Sequence, residues 1–261
     1  MKFTVDRDLL ADAVAWAARS LPVRPSVPVL AGLLIEASDD ELVLSTFDYE
    51  TSARATLSSR RVGETQALVS GRLLADICRN WDAVRMVLDG SRVSLTCGAA
   101  RFSLQTMPVE DYPTLPQMPA ATQVDSETFA HAVGQAVVAA GRDDMLPVLG
   151  VRIEIDGASI SLLATDRFRL SQRELEHTPD ESLAALVPAR VLGDTAKSLT
   201  SGSEVTIALS HGGAGEGIIG FEGHAAGGVR RTTTACWTAS SPRCAALFPA
   251  ERLTTARVEN R

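Results

Sequence analysis

Apolar positions along the chain follow two alternating patterns, one with helical spacing and one of short runs that suit strands. In DRDLLADAVAWAARSL, Leu9, Leu10, Ala13, Val14 and Ala17 recur at helical spacing, which predicts a helix with Asp6 as its N-cap. Short strands are predicted next at AGLLIEAS and ELVLSTFD, separated by the turn-prone pair Asp39 and Asp40. A second helix is predicted over SGRLLADICRNW, starting after Ser70. The stretch AVRMVLDGSRVSLTCGAARFSLQTM then reads as further strands, with a hairpin turned at Asp89-Gly90.

The same order recurs. VDRDLLADAV (Val5 to Val14) aligns with VDSETFAHAV (Val124 to Val133) at an offset of 119. At an offset of 118, GLLIE meets GVRIE, ELVLSTFD meets SISLLATD, and LVSGRLLADICRNW meets LVPARVLGDTAKSL. Four matches in order at nearly one offset make the chain two copies of a unit of about 120 residues. Two helices and several antiparallel strands per unit predict an α+β class, with the second copy's second helix, ARVLGDTAKSL, starting after Pro188. In each helix one stripe is apolar and packs on the sheet, which leaves the other for solvent or a ligand.

Composition narrows the setting. The 261 residues are 45% hydrophobic with 12 scattered prolines, enough for a sizeable core or two domains. No apolar run reaches the roughly 18 residues of a membrane span, and MKFTVDRDLL carries Asp6, Arg7 and Asp8 where a signal peptide needs an apolar stretch, so the expected location is cytoplasmic. The four cysteines, Cys78, Cys97, Cys236 and Cys244, are too few for a disulfide framework and are expected to be reduced. A net charge of -7 argues against indiscriminate coating of nucleic acid, yet leaves room for a local basic face.

Candidate chemistry is sparse. GEGIIG (Gly215 to Gly220) fits G-x-G-x-x-G, but FEGHAAGG after it cannot open a helix, so a Gly-rich hairpin loop is expected. His131, His177, His211 and His224 show no zinc spacing and are expected at the surface or in structural roles, with His177 in the polar turn LEHTPDE. Cys78 falls on an apolar helix stripe as a small core residue, and no carboxylate pair stands out as acid and base. Catalysis, a metal and a cofactor are therefore not expected. The cations say more: Arg72 and Arg79 lie on the second helix, Arg190 and Lys197 on its copy, and Arg24 and Arg142 in the links after the opening helices. Arg72 and Arg190 are the same position in both copies, so one face would carry like charges suited to a phosphate backbone without base contacts.

The segments MKFTVDRDLLADAV, RPSVPVLAGLLIE, TFDYE, GRLLADICR, RFSLQTMPVEDYPTLP, LPVLGVRIE, ATDRFRL, LVPAR and IIGFEG together resemble the bacterial sliding clamp, the β subunit of DNA polymerase III, in its actinobacterial branch. The resemblance implies the DNA-clamp fold and a non-enzymatic ring around double-stranded DNA, with helices lining the hole and sheets outside, which tethers the replicative polymerase and is placed by a clamp loader. It implies residues 1–119 as a first clamp domain, 120–250 as a second and 251–261 as the start of a third. By position it makes Arg24, Arg72, Arg142, Arg190 and Lys197 the lumen cations. A partner-peptide cleft would then use Thr165, Arg167, Arg169 and Leu170, with Val148 or Leu149, Pro242 and Leu247. Family members carry three repeats per chain and close as a homodimer.

Two departures stand beside the resemblance. The chain stops at TTARVENR, where the third domain would begin, so it is expected to be a shortened clamp in which the usual dimeric ring does not close. The alternatives are a clamp-derived interaction module that does not encircle DNA, or a gene fragment. The second departure is RTTTACWTASSPRCAALFPAE, where the family reads close to RTTTRLLDGEFPKVRALFPAE. A deleted base before Ala235 and an inserted base near Ala245 convert one into the other, so Ala235 to Ala245 reads as a compensated frameshift, and Cys236 and Cys244 as its by-product. Exchanging Leu and Phe for this stretch is expected to fray or repack that edge, with the placement of Trp237 as its indicator.

Overall fold

A computed structural model describes residues 2–4, 7–38, 40–61, 65–80, 85–89, 91–118, 121–141, 150–210, 217–225 and 227–236. The first unit runs β1 (Lys2–Thr4), α1 (Arg7–Ala17), β2 (Gly32–Ala37), β3 (Glu41–Phe47), β4 (Thr51–Ser58), β5 (Arg60–Arg61), β6 (Thr65–Ser70), α2 (Gly71–Asn80), β7 (Arg85–Asp89), β8 (Arg92–Cys97) and β9 (Ala100–Gln105). The second runs β10 (Ala121–Asp125), α3 (Ser126–Val137), β11 (Gly150–Thr165), β12 (Leu170–Pro188), α4 (Ala189–Ser198), β13 (Glu204–Ser210), β14 (Ile218–Ala225) and β15 (Gly228–Ala235). The repeat is carried by the register: Gly150 pairs with Pro188 as Gly32 pairs with Ser70, and Thr165 with Leu170 as Phe47 with Ser52. The predicted elements recur within a few residues of their expected limits. β1 and β10, which precede the opening helices, were not foreseen, because three to five residues show too little alternation.

Each unit has its own core under its helices. In α1, Leu10, Ala13, Val14 and Ala17 are buried on Leu33, Leu42, Leu44 and Ala55 of the sheet. In α3, Phe129, Ala132, Val133 and Ala136 do the same against Ile153, Leu162 and Phe221. Asp125 caps α3, its Oδ1 accepting from the Thr128 N–H at 2.8 Å, and bonds from Thr128 hold its carboxyl below the usual carboxylate range. The matching Asp6 lies outside the described residues. On α2 the inward side is Leu74, Ala75, Ile77 and Cys78, so this cysteine is the core residue its position predicts.

The two units share one sheet. Its order is β11-β12-β10-β13-β14-β15-β4-β3-β2-β6, so β15 of the second unit hydrogen-bonds to β4 of the first, antiparallel from Gly228↔Leu57 to Thr234↔Thr51. Gly228 permits this seam, because a Cβ there would lie 1.9 Å from the Thr56 carbonyl oxygen. Gly227, at φ +78°, turns the β14–β15 hairpin tightly against Leu9 of α1. Hydroxyl pairs cross the seam, Ser52 with Thr233 at 2.6 Å and Thr51 with Thr234 at 3.2 Å. On its helix side Arg230 reaches from β15 to the Asp12 carboxylate of α1 and lies 5.1 Å over the Trp16 ring. The connector between the units straps the seam from the other side. Tyr112 packs on Leu30, Leu34, Phe47 and Leu68, and Met118 covers Gly220.

Ile218 to Gly220 of the GEGIIG stretch open a strand, in keeping with a loop and not a nucleotide-binding helix start; Gly215 and Glu216 lie outside the described residues. His131 and His224 are exposed. His177 falls within β12, among the four residues 177–180 that lie opposite Ala158 alone between the Glu176↔Ser159 and Glu181↔Gly157 pairs, and not in a separate turn. β15 holds register to Ala235, whose N–H donates to the Glu50 carbonyl at 2.8 Å, and the Cys236 N–H donates to Gly217 O at 2.8 Å. Trp237, Cys244 and the rest of Ala235 to Ala245 after Cys236 lie outside the described residues. Among the described residues no helix is long and apolar enough to cross a membrane.

Candidate nucleic-acid interface

Where the two units meet, the helix side opens into a cleft of about 700 Å³. Its walls are the end of α1 with the loop to Val23, the exposed stripe of α2 and the first half of α4, and Thr51 and Thr232 of the seam lie among its lining. Arg19, Arg72, Arg79 and Arg190 line it together with Asp48, Asp76 and Asp194. The structure thus brings Arg72 and Arg190, equivalent in the repeat and distant in sequence, into one concavity. Arg24 and Lys197 are exposed but do not line it. Arg142 lies outside the described residues. Arg79, noted among the helix cations but not placed in the lumen set, lines the cleft, and so does Arg19, which the sequence reading does not name. Arg79 is the repeat counterpart of Lys197, whereas Arg19 has no cation at its repeat position, Val138.

Arg72 and Arg190 are each the second residue of their helix, in the turn where the backbone N–H groups and the helix dipole are positive. A cation there costs helix stability, whereas Arg79 and Lys197, in the last turns, are placed as the dipole favours. Pro188 gives α4 no side-chain cap, so its leading N–H groups add to Arg190 as donors for an anion. Arg72 is not the free charge its position suggests. Its Nη2 donates to the Leu21 and Pro22 carbonyls at 3.3 and 3.1 Å, which ties the loop after α1 to α2 and leaves the rest of the fork exposed.

The second candidate region is the turn from β11 to β12. The Asp166 Oδ1 accepts from the N–H groups of Phe168 and Arg169 at 3.1 and 3.0 Å, and its Oδ2 takes the Arg169 Nε at 2.8 Å. Shielding from water pushes this carboxyl up, but those N–H groups and the guanidinium outweigh it and hold it below the usual carboxylate range. Thr165 donates to the Arg169 carbonyl at 2.7 Å and accepts from the Arg167 N–H at 3.1 Å. Arg167 takes φ 77°. Together these bonds hold Phe168 out at 95% exposure, with Arg167 and Arg169 on either side and Leu170 half-buried. Phe168 was not among the expected cleft residues, although an aromatic between two arginines in a tight turn has no route to the core. Val148, Leu149, Pro242 and Leu247 lie outside the described residues. Among the described residues no cluster of His, Cys, Asp and Glu could hold a metal ion.

Solved structures that share this fold are DNA polymerase sliding clamps. That of Bacillus subtilis superposes with a TM-score of 0.84 at 22% identity, over 96% of this chain and 68% of that one. The β subunit of Streptococcus pyogenes gives 0.85 at 18% identity with the same coverage. Sequence relatives extend the likeness. The beta sliding clamp of Streptomyces coelicolor is 56% identical over 266 residues, 99% of this chain and 70% of that protein. That of Micrococcus luteus is 49% identical over 256 residues, 95% of this chain and 80% of that protein. Residues 1–116 match the N-terminal domain of the DNA polymerase III beta subunit and residues 123–233 its central domain, and the chain belongs to that family.

Proposed function

We propose that this chain works as a sliding clamp, a non-enzymatic processivity factor that holds duplex DNA without reading its sequence and tethers a replicative polymerase to it in the cytoplasm. The observation that carries the reading is the pairing of Arg72 and Arg190. Two equivalent helices each present an arginine of their first turn into one cleft, in a chain whose net charge is -7. Such contacts bind phosphates at any sequence and weaken as salt displaces them. Arg24, Arg142 and Lys197 extend the same basic face.

In this reading the polymerase and the clamp loader dock an apolar peptide beside the Thr165 to Leu170 turn, where Phe168 offers an aromatic anchor and Arg167 and Arg169 offer charge. Val148, Leu149, Pro242 and Leu247 complete the cleft, and residues 1–119 and 120–250 are the two clamp domains. The test is retention on nicked circular against linear duplex, with native mass measured alongside. A topological clamp stays on the circle and runs off the ends of the linear form. Equal loss from both overturns the encircling function and favours an interaction module.

A further inference from the structure

The exposed stripes of α2 and α4 carry the same order of charge: Arg72, Asp76, Arg79 on one and Arg190, Asp194, Lys197 on the other. Across GRLLADICRN and ARVLGDTAKS only three of the ten aligned positions are identical. One is the core leucine, Leu74 and Leu192, which packing demands. The other two are Arg72 with Arg190 and Asp76 with Asp194, all four exposed and all four lining the cleft.

Helix stability does not account for the arginine, although each aspartate also stands three residues before a cation, Arg79 or Lys197, in the order that favours a helix. The arginine stands in the first turn, against the dipole, and a cation followed four residues later by an acid is the weaker order for a helical ion pair. A carboxylate one turn from each arginine nevertheless lies beside any phosphate that the arginine and the helix end attract. It repels that phosphate and competes for the guanidinium.

We propose that Asp76 and Asp194 set an upper limit on the grip of the cleft on duplex DNA, so that no backbone register is held much more tightly than the next and the duplex passes freely. This rests on the duplex-binding reading above. Each stripe offers two cations offset by one acid, a weak and evenly spaced attraction instead of a deep well.

The test is equilibrium binding of a short labelled duplex to the full chain at low and at physiological salt. Asp76→Asn and Asp194→Asn are expected to tighten binding roughly threefold each, as removal of one unit charge at about 6 Å in water implies, and the gain shrinks as salt rises. Asp156→Asn makes the same change in net charge at an exposed position outside the cleft and is expected to match the wild type. Arg72→Ala and Arg190→Ala are expected to weaken binding, and circular dichroism confirms that each variant is folded. If the arginine variants weaken binding while the aspartate variants behave like Asp156→Asn, the inference fails and the duplex reading stands. If the arginine variants bind as the wild type does, both fail.

Discussion

Tyr49 and Arg167 occupy the left-handed region, at φ 74° and 77°, at equivalent places in the two copies. Each follows an aspartate whose carboxylate collects the next two free N–H groups; Asp48 Oδ1 accepts from Glu50 and Thr51 at 3.0 and 2.7 Å. The aspartates were legible as aligned repeat positions. The backbone strain beside them was not, because neither Tyr nor Arg signals positive φ as Gly or Asn would. Arg167→Gly is therefore expected to raise stability by up to about 1 kcal/mol, read from the urea midpoint. Burial also pushes the Tyr112 phenol from 10.0 up to about 12 and the Cys236 thiol from 9.0 up to about 11. The unfolded chain then loses these protons first, so stability is whole below pH 9 and falls as pH rises from about 9 towards 12. Tyr112→Phe is expected to remove about 2 kcal/mol of that alkaline loss, seen as a flatter urea midpoint between pH 10 and 12.

Helices and hairpins within each unit could be read from apolar spacing, because their partners are near in sequence and one face of each is buried. The seam between β15 and β4 could not. Its strands bring together Thr51 and Thr234, 183 residues apart; the alternation of Ala53, Ala55 and Leu57 marks β4 as a strand without naming its partner, and the Arg and Thr run of β15 gives no apolar alternation. Arg230 illustrates the difficulty: an arginine in RRTTT reads as surface, yet its side chain is only 9% exposed while Asp12 is 51% exposed. That asymmetry sets the order of two substitutions. Asp12→Ala strands a buried cation and is expected to cost roughly 3 kcal/mol, whereas Arg230→Met leaves a carboxylate that water can reach and is expected to cost clearly less. Chemical denaturation of the two variants gives the comparison.

The candidate interface is a property of the whole chain. Its arginines were legible one copy at a time, but the cleft exists only because the shared sheet sets α2 and α4 side by side. The same sheet should make both units melt together. Gly228→Val, which places a side chain against the Thr56 carbonyl, is expected to divide one calorimetric transition into two. The five-stranded sheet of the first unit, ordered β5-β1-β7-β8-β9, ends at β9, which pairs with no further strand among the described residues beyond the Leu68↔Met107 bridge that follows it. Its exposed side chains are Arg101, Ser103 and Gln105, so a single charge guards six residues of strand. An open edge is a template for another chain. Concentrated stocks of the free protein are accordingly expected to grow turbid on storage, sooner at high salt, and Ser103→Lys is expected to lengthen their shelf life.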